Sequence, residues 1–188
     1  MRLASVLTPL SDDNLRLAAQ CGVTDIVDRY PGPELADFQK LKARVESFGL
    51  RLAVIEGYAP MNNLIYGRDD GTELVAMKTL LRNMGEAGVP VLCYNFMAGT
   101  DWVRTRLDVP ERGGARVTEF NLADAERAMN LNDAETRIEE TEIDAESLWA
   151  NLEFFLNELL PVAEAAGVDF AMPPDAPPLP SFRGKARI

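Results

Sequence analysis

Histidine is absent from the 188 residues. That excludes Ser-His-Asp and Cys-His nucleophile pairs and every His-bearing metal motif, leaving carboxylates, Tyr, Lys, Arg, Asn or Cys to carry any chemistry. Cysteine is scarce: Cys21 and Cys93 form no C-x-x-C pair and fall at a helix end and in a strand. Two buried thiols in a reducing cytoplasm are expected rather than a disulfide. Positive charge is short, with 19 basic against 30 acidic residues and a net charge of −11. Such a surface repels nucleic acid and anionic membrane, so neither is expected as a partner. No apolar run reaches the length of a membrane span, and Ser11-Asp12-Asp13 interrupts the N-terminal run too early for a signal sequence, so a cytoplasmic location is expected. What is present, 47% hydrophobic residues, is enough for one sizeable core and one domain over 1–188.

A repeated punctuation organises the chain. Cys21-Gly22-Val23, Phe48-Gly49-Leu50, Ala87-Gly88-Val89 and Ala166-Gly167-Val168 each follow a helical pattern and precede a short apolar run. This is helix, glycine cap, strand, four times over. Leu35, Phe38, Leu41, Val45 and Phe48 make one helical stripe, with Pro33 near its first turn. A second comprises Leu148, Leu152, Phe155, Leu159 and Val162, with Pro161 expected to bend its last turns, and a third Leu74, Met77, Leu81 and Met84. Ser11 or Asp12 caps the first helix. Strands are predicted at Leu3 to Leu7, Thr24 to Val27, Leu50 to Ile55, Val89 to Phe96 and Val168 to Met172, continuous apolar runs suited to parallel strands buried on both faces. The fold class is therefore α/β, of the (β/α)8 TIM-barrel type. A full barrel usually takes roughly 250 residues, so five strands predict a barrel truncated after the fifth.

The spacing breaks once: 79 residues separate Gly88 from Gly167, against 27 and 39 between the earlier glycines. The excess predicts an inserted loop or helical region at about 97–143, leaving the C-terminal end of a strand, where barrel active sites are built. Its second part, Glu119 to Glu146, has ten acids against Arg127 and Arg137. Such a run is expected as a solvated helical face or a mobile loop rather than a cation site.

Strand ends supply the candidate site. Glu56 closes the third strand, where a carboxylate can accept a substrate hydroxyl or bind a metal, or simply pair with a neighbouring Arg; the sequence leaves both open. After the fourth strand, Asn95, Asp101, Trp102 and Arg104 crowd into ten residues. Alternation lets Asn95 point into a barrel mouth, and Arg104 suits bidentate carboxylate binding. The alternative for Asn95 and Trp102 is loop capping and packing. The fifth strand exits through Pro173 to Pro180, five prolines in eight positions, a stiff loop that would fix Asp175 in place.

These residues resemble a known family. Cys93-Tyr94-Asn95-Phe96-Met97, then Asp101-Trp102, Arg104-Thr105 and Gly113-Gly114, is similar to the central signature of mannonate dehydratase, a barrel enzyme of hexuronate breakdown. Glu140, Leu148-Trp149-Ala150-Asn151-Leu152, Pro161 to Val168 and the Pro-Asp-x-Pro-Pro run ending in Gly184-x-x-Arg187-Ile188 continue it in order. The resemblance implies a hydro-lyase of glucuronate catabolism, dependent on Mn(II) or Fe(II), that eliminates water from D-mannonate to give 2-keto-3-deoxygluconate. It makes Asn95, Arg104, Asp175 and Arg187 the substrate-facing groups, with Asp175 in the catalytic role; Asp101, Trp102 and Glu56, from their places at the strand exits, join them as expected substrate-binding residues.

Two departures stand out. The family loop runs His-Pro-Asp-Asp-Pro-Pro, its His binding the metal; this chain has Pro173 there and Ala176 at the second Asp. No metal ligand is therefore assigned, and metal binding by this chain is expected to be poor. The competing expectation is a truncated, non-catalytic homologue that binds a sugar acid or needs a complementing chain. Open sheet edges also predict pairing, as a homo-oligomer or with that chain.

Overall fold

The computed structural model describes residues 1–99, 103–130 and 141–188. They form two compact units, one of Met1–Asn95 with Asn151–Pro173, the other of Phe96–Ala150 with Pro174–Ile188.

The first unit is built on five strands: β1 (Ala4–Val6), β2 (Asp25–Asp28), β3 (Arg51–Glu56), β4 (Val91–Cys93) and β9 (Asp169–Ala171). All pairings are parallel and the spatial order is the chain order, β1-β2-β3-β4-β9. The α/β expectation with a parallel sheet is met; β1, β4 and β9 are shorter than their predicted runs, whereas β2 and β3 keep the predicted length, shifted by one residue. Helices α1 (Asp12–Gln20), α2 (Leu35–Glu46) and α4 (Thr72–Ala87) fill the crossovers, joined by the single turn α3 (Asn62–Ile65).

Local chemistry sets the helix ends. Ser11 Oγ accepts from the Asn14 N–H at 3.2 Å and caps α1. In α2 the Asp37 carboxylate reaches back to the Glu34 N–H at 3.2 Å. Gly71 has no side chain to cap α4, and Asp69 does so instead, accepting from the Glu73 and Leu74 N–H groups at 2.9 and 3.0 Å. Gly88 ends that helix at φ 70°, a left-handed position that favours glycine.

The predicted stripes face the core. Phe38, Val45, Met77, Leu81, Met84, Phe155 and Leu159 are fully buried with Ile26, Leu52, Ile55 and Leu92 of the sheet. The long helix α5 (Ala145–Ala166) runs through Pro161 without interruption. One turn from its end the buried position is Ala163 rather than Val162. Tyr94, Phe155 and Phe170 cluster with ring centroids 5.2 to 6.2 Å apart. Where α4 passes α5, a Cβ on Gly85 would stand 2.5 Å from the Ala166 carbonyl oxygen, so only glycine permits this approach.

At the start of β2, Asp25 is 2% exposed, and its carboxylate accepts from Arg2, from Arg51 Nε at 2.7 Å and from Thr24 Oγ1 at 2.6 Å. This ties three segments together at the N-terminal edge of the sheet. Cys21 and Cys93 are free thiols as expected, but Cys21 is exposed and Cys93 only half-buried, because the turn after α1 projects Cys21 to solvent.

In the second unit the described part of the long connection, 103–130, is short antiparallel β structure. Strands β6 (Arg106–Pro110) and β7 (Arg116–Glu119) form a hairpin, and β5 (Val103–Arg104) pairs with β8 (Met129–Asn130). Short 3-10 segments occupy Arg112–Gly114, one turn, and Leu122–Arg127, two turns. Residues 131–140 of the acidic run lie outside the described residues. Strands β10 (Ser181–Phe182) and β11 (Lys185–Ala186) close the chain as a hairpin whose turn residues, Arg183 and Gly184, both have positive φ. Arg183 is held in that conformation by donating to the Ala125, Glu126 and Ala128 carbonyls at 3.0 to 3.3 Å. Val103, Ala128 and Phe182 form the small core beneath.

Candidate functional site

In the first unit the chemistry-bearing residues gather at the C-terminal ends of β2, β3 and β4. Glu56 is the last residue of β3, and its neighbour across the ladder is Cys93, the last of β4. Arg29, one residue beyond β2, donates from Nη1 to Glu56 Oε2 at 3.0 Å and lies 3.4 Å from the Glu56 carbonyl oxygen. Cys93 Sγ is 4.0 Å from Glu56 Oε1. The Arg29 guanidinium also sits over the Tyr58 ring, 5.6 Å from its centroid. Of the two readings left open for Glu56, pairing with an Arg is observed, and it does not remove the carboxylate from solvent: the side chain keeps 15% exposure. Asn95 is half-buried just past β4 in the same unit.

Burial raises the Asp28 carboxyl above its ordinary 3.8, opposed by the Arg29 backbone N–H and by the Arg29 and Arg44 charges. The folded state then holds a proton that the unfolded chain releases, between 3.8 and the raised value. Stability falls as pH rises through that window, and Asp28 disfavours folding above it. Asp28→Asn is therefore expected to flatten this part of the stability profile and to be more stable than the parent at neutral pH, as read by urea unfolding from pH 4 upward. The Cys93 thiol is likewise pushed up, by burial first and by the Glu56 charge second, with Arg29 opposing. A thiol so placed is a poor nucleophile at neutral pH.

The second unit brings together Asp175 and Arg187. Both are buried, at 6% and 8% exposure, with Arg187 Nε 3.6 Å from Asp175 Oδ2. Arg187 Nη2 donates to the Ala176 carbonyl at 3.0 Å and lies 3.8 Å from Met97 Sδ. The Asp175 N–H donates to the Ile188 carbonyl at 2.7 Å, and the Ile188 N–H returns to Asp175 Oδ2 at 3.3 Å. Burial raises the Asp175 carboxyl, while Arg187 and the Ile188 N–H pull it down. Arg104 is committed to its own hairpin region, donating from Nε to Thr118 Oγ1 at 3.0 Å and from Nη1 to the Val103 carbonyl at 2.8 Å. Asp101 and Trp102 lie outside the described residues. Arg29 and Tyr58 were missed from the sequence, although each stands within three residues of a predicted strand end.

Among the described residues no three His, Cys, Asp or Glu side chains converge as a metal site would require. Glu56 and Asp175 are each engaged with an arginine, which lowers the affinity of a carboxylate for a cation.

Comparison with known proteins decides the lineage. The family model described as D-mannonate dehydratase (UxuA) matches residues 10–188. The chain belongs to that family. The mannonate dehydratase of Streptococcus equi subsp. zooepidemicus is 37% identical over 172 residues, which cover 82% of this chain and 47% of that protein. The Bacillus subtilis mannonate dehydratase is 31% identical, over 89% of this chain and 54% of its own. The chain thus spans about half the length of these relatives. The crystal structure of mannonate dehydratase from Streptococcus suis superposes with a TM-score of 0.84 at 33% identity, covering all of this chain and 57% of that one. The D-psicose 3-epimerase of Clostridium cellulolyticum, 15% identical, superposes at 0.54 over 90% of this chain and shares the fold alone, a neighbour of the TIM-barrel type. Among the described residues of this family member no helix is long and apolar enough to cross a membrane.

Proposed function

We propose that this chain is a mannonate dehydratase-like lyase of glucuronate catabolism, acting in the cytoplasm on D-mannonate to give 2-keto-3-deoxygluconate. The observation that carries this is the family match over residues 10–188, together with Glu56 and Asn95 at the C-terminal ends of a parallel sheet, where this architecture builds its sites. Asn95, Asp101, Trp102, Arg104, Arg187 and Glu56 serve the substrate in this reading, and Asp175 the catalysis.

The family's Mn(II) or Fe(II) does not fit the residues present. The chain has no histidine, Pro173 occupies the position of the family's metal-binding His, and a pyrrolidine ring has no lone pair to offer. What this chain contributes is the positioning of a polyhydroxy acid by hydrogen bonds. The test is incubation with D-mannonate and either metal, with detection of 2-keto-3-deoxygluconate. Formation of that product, and of none from other hexonates, is the expected result; turnover of a different sugar acid in its place would overturn the assignment.

The alternative of a non-catalytic homologue that binds a sugar acid, or that pairs with a second copy or a complementing chain, draws support from the outer strands. Val6 of β1 is 41% exposed, and Leu3 and Met172 beside β1 and β9 are 54% and 36% exposed. Unpaired strand edges next to apolar side chains favour strand addition.

A further inference from the structure

We propose that Glu56 is the hydroxyl-binding group for the neutral polyol end of the substrate, and that Arg29 is the positioning residue that lets a carboxylate do this for an anionic ligand. The proposal rests on the sugar-acid reading above and adds what the Arg29–Glu56–Tyr58 constellation is for.

Charge poses the problem. A sugar acid approaches a chain of net charge −11, and a lone carboxylate at a strand end would add to the repulsion. With its guanidinium 3.0 Å from Glu56 Oε2, Arg29 offsets the charge that the carboxylate would otherwise present to an anion. An ionised carboxylate has about four lone-pair sites and donates nothing, so it discriminates for hydroxyl donors. One site takes Arg29 and another faces the weak Cys93 thiol at 4.0 Å, which leaves capacity for two adjacent substrate hydroxyls.

The backbone supports the same reading. Gly57 and Tyr58 are consecutive residues in the left-handed region, at φ 72° and 57°. Glycine accepts this freely; a tyrosine does so only under strain, and such strain gathers where a side chain must be aimed. The turn is pinned to both neighbouring strands' ends, Gly57 N–H donating to the Cys93 carbonyl at 3.3 Å and Tyr30 N–H to the Gly57 carbonyl at 3.4 Å. What it presents is the Tyr58 ring, 59% exposed and backed by Arg29. An exposed aromatic face beside a carboxylate is the pairing that holds a polyol, C–H groups against the ring and hydroxyls on the oxygens.

The experiment is a titration of the 15N-labelled full chain with D-mannonate and, separately, with neutral D-mannitol, following the Gly57 and Tyr58 amides. Both ligands are expected to shift them. Glu56→Gln should weaken both by about tenfold, since hydrogen bonds to a charged acceptor are roughly twice as strong as neutral ones. Arg29→Met should weaken D-mannonate more than D-mannitol, with a gap that widens at low salt, and Arg29→Lys should restore most of it. Equal loss for both ligands in Arg29→Met would mean a merely structural arginine and would overturn the positioning role. An unchanged affinity in Glu56→Gln would overturn the hydroxyl site. No shift at these amides in the parent chain, with product still formed from D-mannonate, would overturn the subsite and leave the lyase reading intact. A response to D-mannitol alone would overturn charge compensation and the sugar-acid reading together.

Discussion

With excess Mn(II), this chain is expected to turn over D-mannonate at least two orders of magnitude more slowly than the Bacillus subtilis relative assayed beside it, and calorimetry should show no sub-micromolar Mn(II) binding. Removing the proton next to a carboxylate builds a second negative charge, which a divalent cation stabilises by several kcal/mol. Each ~1.4 kcal/mol is a factor of ten in rate. Nothing in the described residues replaces that cation: Glu56 and Asp175 are both paired with arginine, and Pro173 supplies no donor. Two separate carboxylates would leave most coordination positions to water. Tight Mn(II) binding with family-like rates would overturn this expectation.

Arg187→Met is expected to destabilise the C-terminal loop by about 3–5 kcal/mol, because it leaves a carboxylate buried without its counter-charge. The Asp175 side chain is 5% exposed, and its carboxyl is already lifted by burial while Arg187 is in place. Removing Arg187 lifts it further, so the variant recovers stability as pH falls and Asp175 takes up a proton. The sign follows from a folded state that binds more protons than the unfolded one. Hydrogen exchange at the Asp175 amide, which donates to the Ile188 carbonyl, reports this locally. Protection should fall steeply at neutral pH and less under acid conditions. Replacing both partners, Asp175→Leu with Arg187→Met, should return most of it. Undiminished protection in the single variant would show that Arg187 is not the group that makes burial of Asp175 tolerable.

The parallel sheet was legible because glycine after a helix is a backbone requirement written directly into sequence: Gly22, Gly49, Gly88 and Gly167 each have φ between 68° and 84°. Helix faces were legible for a similar reason, since a period of 3.6 survives as spacing; Leu41 and Leu74 came out half-exposed because a stripe is wider than the surface it covers. Ion pairing was harder. That Glu56 would find an arginine was one of two open readings, but that the arginine is Arg29, 27 residues earlier, follows from the register of β2 against β3, which no local pattern contains. Asp25 escaped notice altogether, because an aspartate at a strand start reads as a turn residue until Arg2 and Arg51 arrive from its two neighbouring segments. The connection after β4 looked like loop or helix because acids and arginines mask β-structure. Its valines at 103, 109 and 117 were the available signal, and all three lie in strands.

The order β1-β2-β3-β4-β9 bears on how the sheet comes together in time. The first four strands need only short excursions of chain, whereas β9 must return across 76 residues from Cys93 to Asp169, against 35 from Glu56 to Val91. Doubling a loop adds only about 0.6 kcal/mol of closure entropy, so the long excursion barely taxes the equilibrium. It does delay an encounter, since distant segments meet more slowly than near ones. Assembly from the N-terminal side, with β9 docking last onto a preformed β4 edge, is the kinetic counterpart of this topology. It also means that the excursion could lengthen or shorten over evolution with little effect on the sheet that anchors it.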